Sequence, residues 1–150
     1  MNFNSVNDIL DFAIKREEGA ENFYNTLASK MTNPATKKML EEFAVEEHGH
    51  KVKLEEVKAG KKFAGLEEKV PDLKIADYTV EGEYSDNMSF QDTLILAMKR
   101  EKAAFKLYSK LAESTTDENL KNLLKNLAQE ESKHKLRFEI EYDEIVLKEN

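Results

Sequence analysis

Stepping by four and three residues from Val6 traces Val6, Leu10, Ala13, Glu17, Ala20, Tyr24, Leu27 and Met31, an apolar stripe broken once, at Glu17. Three more stretches repeat the pattern. They run Leu40, Phe43, Glu47, His50, Leu54, Val57; then Phe90, Leu94, Ala97, Glu101, Ala104, Tyr108, Leu111; then Leu120, Leu124, Leu127, Glu131, His134, Phe138. Apolar positions at this spacing form the buried face of an amphipathic helix. Four long helices are predicted, over about 7–31, 35–59 and 90–113, and from Thr115-Thr116-Asp117 to about Leu147. Thr32-Asn33-Pro34 separates the first two, with Pro suited to the first turn of the next helix. Gly60 closes the second.

The second half of the chain repeats the first at an offset of 84 residues. Ala13-Ile14-Lys15-Arg16-Glu17 corresponds to Ala97-Met98-Lys99-Arg100-Glu101, Tyr24 to Tyr108, Glu46-Glu47 to Glu130-Glu131, and His50-Lys51 to His134-Lys135. The helix starts match too. Ser5 with Asp8, and Ser89 with Asp92, each have the form of a capping box with Asp in place of Glu. Each half reads as an antiparallel helical hairpin, about 5–59 and 89–147. Segment 60–88 holds three of the five Gly and the motif Val70-Pro71-Asp72-Leu73. It is long enough to cross from one end of a bundle to the other. The expectation is one all-α domain over 1–150, a four-helix bundle with one long crossover, which is the ferritin-like connectivity.

Composition narrows the function classes. With five Gly and two Pro among 150 residues, long helices are favoured over a sheet. A net charge of −7 argues against nucleic acid and anionic membranes as partners. The longest apolar run, Leu94 to Met98, falls far short of the roughly 20 residues of a membrane span. The N-terminus does not read as a signal peptide, so a cytoplasmic protein is expected. The absence of Cys excludes disulfides and thiolate-bound metal within these 150 residues, and no attached Cys-ligated iron domain is expected.

Against this background the stripe interruptions stand out. Glu17, Glu47, His50, Glu101, Glu131 and His134 all fall on predicted buried faces, where a charge survives only when paired or metal-bound. Glu47 with His50, and Glu131 with His134, are three apart, so each pair shares a helix face one turn apart. One Glu from each of two helices plus one Glu-x-x-His from each of the other two is the ligand set of carboxylate-bridged dimetal bundles. Two divalent ions would balance the four carboxylates. Oxygen and imidazole donors without sulfur suit iron or manganese, with zinc as a redox-inactive competitor. A buried Glu–His or Glu–Arg network without metal is the alternative, at a desolvation cost that only full pairing offsets.

These residues resemble those of a known family. Ala13…Glu17…Asn22-Phe23-Tyr24, Glu46-Glu47-His48-Gly49-His50, Ala97…Glu101…Tyr108 and Glu130-Glu131-Ser132-Lys133-His134 are similar to the rubrerythrin-type ferritin-like diiron proteins. The resemblance covers about 5–60 and 88–145. It implies a diiron centre with the six residues as iron ligands, reduction of hydrogen peroxide or reaction with dioxygen, and a homodimer. Two departures follow from it. Ala104 stands where rubrerythrins usually carry an extra carboxylate. No Cys-rich rubredoxin domain is read in these 150 residues, so a separate electron donor, rubredoxin-like or a flavoprotein, is expected.

Four further pairs of positions bear on the site. Tyr24 and Tyr108, seven residues after Glu17 and Glu101, share their face, and could hydrogen-bond a ligand carboxylate or relay a proton or an electron; the alternative is a core aromatic with its hydroxyl satisfied. Glu46 and Glu130 could orient a metal-bound imidazole through its distal N–H, or be solvated surface acids. Arg16 and Arg100 are expected to pair at the surface, the alternative being that they offset the charge of the site, and His48, opposite Ser132 in the repeat, is expected to be exposed. Three other functions compete with peroxide reduction. They are iron handling without turnover, an oxygenase acting on an organic substrate, and a structural zinc bundle.

Overall fold

The computed structural model describes residues 2–149. They form five α-helices: α1 Val6–Lys30, α2 Pro34–Gly60, α3 Leu66–Lys69, α4 Phe90–Ser114 and α5 Glu118–Glu149. Two 3-10 turns, Val70–Asp72 and Ile75–Tyr78, follow α3. Among the described residues there is no strand, only an isolated antiparallel bridge between Asn2 and Lys74. None of these helices is long and apolar enough to cross a membrane. Two compact units result. Asn4–Lys62 is the first, and the chain from Phe63 onward, with Asn2 and Phe3, is the second.

In the first unit α1 and α2 lie antiparallel. Ser5 caps α1 by accepting from the Asp8 amide at 3.1 Å, and Asn33 caps α2 by accepting from Ala35 and Thr36 at 2.9 and 3.2 Å. Side chains at these positions replace the partners that the first amides of a helix lack. Pro34 occupies the first position of α2, as the sequence predicts. Ile9, Leu10, Ala13, Ala20, Tyr24 and Leu27 of α1 and Met39, Leu40, Ala44 and Leu54 of α2 are buried. Two ion pairs and one hydrogen-bond contact cross the outside of the hairpin: Asp11–Lys58 at 2.6 Å, Glu18–Lys51 at 2.8 Å, and Glu21 with the His48 imidazole at 3.0 Å. In each, an advance along α1 is matched by an equal retreat along α2, which fixes the register.

The second unit is built on the α4–α5 hairpin. Ser89 caps α4 through the Asp92 amide at 3.0 Å, and Asp117 accepts from the Leu120 amide at 2.9 Å at the start of α5. The Gln91 side-chain amide donates to the Tyr142 hydroxyl at 3.3 Å, near the open end of this antiparallel pair. The connecting segment is more ordered than a simple crossover. Phe63, Leu66, Val70, Leu73 and Tyr78 are buried, and the Lys106 ammonium lies 5.9 Å from the Tyr78 ring centre. The chain start is tied to the same segment, with the Phe3 amide donating to the Leu73 carbonyl at 3.3 Å and the Asn2 side chain to the Pro71 carbonyl.

Candidate metal centre

Within the first unit, α1 presents Glu17 and α2 presents Glu47 and His50. All three are at most 1% exposed. One ligand atom from each lies within 4.8 Å of the others. The His50 Nδ1 stands 3.6 Å from Glu17 Oε2 and 3.5 Å from Glu47 Oε1. The flanking positions on the same face of α1 are Ala13 and Ala20, both small and buried.

The second unit repeats the arrangement. Glu101 comes from α4, Glu131 and His134 from α5, and none is more than 2% exposed. Ligand atoms of these three also lie within 4.8 Å of one another, with His134 Nδ1 at 3.7 Å from Glu101 Oε1. Ala97 and Ala104 flank Glu101 as Ala13 and Ala20 flank Glu17.

The donor set fits a divalent cation. Hydrogen bonds from a ring N–H to a carboxylate fall at about 2.7–3.2 Å, so imidazole–carboxylate separations of 3.5–3.7 Å are too long for strong ones. Two ligands bound at about 2.0–2.2 Å to one ion stand about 3.0–3.5 Å apart, from octahedral to tetrahedral angles. The separations lie near that edge length. Each triad also brings two carboxylates together away from water. Their repulsion is a standing penalty in the metal-free chain, and a dication removes it.

The rubrerythrin family model matches residues 8–142. The chain belongs to the rubrerythrin family. Two solved structures are similar to this rubrerythrin chain. One, from Thermotoga maritima, is described as a ferritin-like diiron-carboxylate protein. It is 22% identical with a TM-score of 0.80, over 96% of this chain and 98% of its own. The other, a hypothetical protein from Pyrococcus furiosus, is 28% identical with a TM-score of 0.67, over 90% of this chain and 86% of its own. Among curated proteins none matches. The fold is therefore all-α and ferritin-like, as expected from the crossover and the hairpin repeat.

The other candidate residues of this rubrerythrin divide by burial. Tyr24 and Tyr108 are 1% and 0% exposed, and Tyr24 meets Phe43 edge-on with ring centres 6.1 Å apart. Glu46 is exposed and Glu130 half-buried. His48 is exposed, as predicted, and carries the Glu21 contact. Ala104, where the resemblance calls for an extra carboxylate, is fully enclosed.

Arg16 departs from the expectation of surface pairing. Its Nη1 donates to Glu17 Oε1 at 3.0 Å and lies 3.6 Å from Glu47 Oε2, with the side chain only 15% exposed. The residue sits one position from Glu17, roughly 100° around the helix from the buried seam. Its backbone position therefore reads as peripheral. The long, flexible stem bends the guanidinium back onto the two acids.

Proposed function

We propose that this rubrerythrin is an oxidoreductase that binds two iron ions, one at each triad, and reduces hydrogen peroxide, or dioxygen, with electrons from an external donor. The observation that carries the reading is the burial of two Glu and one His, ligand atoms within 4.8 Å, in each half of the repeat. Family membership supports it, as does the similarity to a protein described as diiron-carboxylate.

Iron would supply the one-electron redox steps. The residues have simpler tasks. Glu17, Glu47, Glu101 and Glu131 would offset the charge of two dications, and His50 and His134 would each give a neutral nitrogen donor. Ala13, Ala20, Ala97 and Ala104 keep the neighbouring volume small and apolar, which limits bulk water around the reacting oxygen atoms. Tyr24 and Tyr108 lie on the ligand face of α1 and α4, where a phenol could donate a hydrogen bond to a ligand carboxylate. The overall conversion takes one hydrogen peroxide, two electrons and two protons to two waters. The electrons come from a separate redox protein, rubredoxin-like or a flavoprotein.

The test is anaerobic loading with Fe(II), followed by stepwise hydrogen peroxide while residual peroxide and Fe(II) are measured. One peroxide consumed for every two Fe(II) oxidised is the expected result. Fe(II) that remains bound while peroxide persists would exclude peroxide reduction by this protein.

A further inference from the structure

Arg16 is the feature of the first unit that a plain ligand set does not account for. A metal site assembled only to capture a dication gains nothing from a guanidinium among its ligands, because like charges in a poorly solvated region repel. Yet the guanidinium donates to Glu17 Oε1 at 3.0 Å and stands 3.6 Å from Glu47 Oε2. Those carboxylates belong to the triad completed by His50, and the arginine side chain is itself 15% exposed. It reaches the acids from the margin of the buried seam.

We infer that Arg16 is a built-in counter-ion of the Glu17–Glu47–His50 triad, which a divalent cation must compete with for the two carboxylates. The inference rests on the reading of this triad as a metal site. Without metal, the guanidinium offsets one of two buried negative charges and holds Glu17 through a charge-assisted hydrogen bond. When a dication arrives, the same positive charge opposes it. The consequence is a triad whose metal-free form is tolerable and whose affinity is held down, so weakly bound ions are released. Arg16 is thus a positioning and affinity-setting residue and contributes no metal–ligand bond.

The test uses the full chain stripped of metal by chelation, titrated with Mn(II) in a calorimeter, with no turnover involved. Arg16→Gln removes the charge but keeps a donor of moderate length. Arg16→Lys keeps the charge. Arg16→Met is a second neutral variant should the glutamine form fold poorly. The neutral variants are expected to bind Mn(II) about tenfold more tightly at one site, the equivalent of about 1.4 kcal/mol of relieved repulsion. They should also melt at a lower temperature than wild type when metal-free. Arg16→Lys should stay within roughly threefold of wild type, since the charge term survives. Neutral variants with unchanged or weaker Mn(II) affinity would overturn the inference, because a guanidinium that merely orients Glu17 would lower affinity on removal. Wild-type protein that takes up no Mn(II) or Fe(II) at all would instead overturn the metal-site reading beneath it.

Discussion

At the residue scale, the candidate ligands are a liability to folding before they are an asset to function. Glu131 is fully enclosed, and its carboxylate shares a 4.8 Å cluster with that of Glu101 in the same unit. Neutralising one of two crowded buried acids relieves repulsion and desolvation together. Glu131→Gln is therefore expected to stabilise the metal-free chain by about 1–3 kcal/mol, while weakening the gain in thermal midpoint that added metal gives the wild type. Melting curves with and without Mn(II) check both signs. A metal-free variant that melts below wild type would contradict the idea that the cluster is strained without a cation. This group of residues was legible as breaks in apolar stripes, because a buried Glu or His is conspicuous at a core position. Arg16 was not. Periodicity reports where a Cα sits on the helix, and a long side chain can carry its charge well away from that direction.

At the element scale, caps and stripes specify the long helices closely. The predicted bounds of α1, α2 and α4 lie within a residue of those observed. The start of α5 shifts from Thr115 to Glu118 because two helix ends share the intervening residues. The Thr115 amide closes α4 by donating to Leu111 at 3.1 Å, while the Asp117 side chain caps α5. The order of the connecting segment is harder to read from the sequence because its anchors, Phe63, Leu66, Val70 and Leu73, keep a three-and-four spacing only across a stretch interrupted by Gly65 and Pro71, and Tyr78 falls outside that spacing. Its fit depends on Gly65, whose φ of +86° is a left-handed conformation. A Cβ there would meet the Ser114 carbonyl oxygen at 2.7 Å. The neighbouring Ala64 carbonyl accepts from the Thr116 amide and the Thr115 hydroxyl, both at 2.8 Å. Gly65→Ala is expected to cost about 1–3 kcal/mol through strain and displacement of this junction, read in a denaturant titration, with metal content per folded chain unchanged. A variant as stable as wild type would show that the junction relaxes freely.

The ion pairs along α1 and α2 add a pH dependence. The hydrogen bond from Lys51 to Glu18 raises the lysine pKa above its ordinary 10.5, with burial opposing and the charges of Glu18, Glu55 and Glu21 assisting. A lysine raised in the folded state contributes stability that is complete below the unfolded value and fades as pH rises through the folded one. Glu18→Gln should therefore lower the thermal midpoint slightly at neutral pH, and the difference from wild type should shrink above pH 10.5. A difference that persists unchanged into strong alkali would assign the effect to packing.

At the scale of the whole molecule, the repeat is the organising fact. Two hairpins, each carrying one carboxylate on its first helix and a Glu-x-x-His on its second, bury the same three donors at an offset of 84 residues. Hydrophobic periodicity accounts for the helices and says nothing about why ionisable groups recur inside them. The proposed metal binding would supply the reason. Two triads of this kind, each with two acids and one imidazole, would carry four carboxylates for two dications, with the Arg16 guanidinium as a further charge at the first. The central claim is thus a stoichiometry. Metal per chain, measured by elemental analysis after anaerobic Fe(II) loading and removal of free ion, tests it most directly. The account predicts about two irons per wild-type chain, and fewer when Glu47→Ala or His134→Ala removes a ligand. Wild-type chains that carry no iron, or variants that carry as much as wild type, would contradict it.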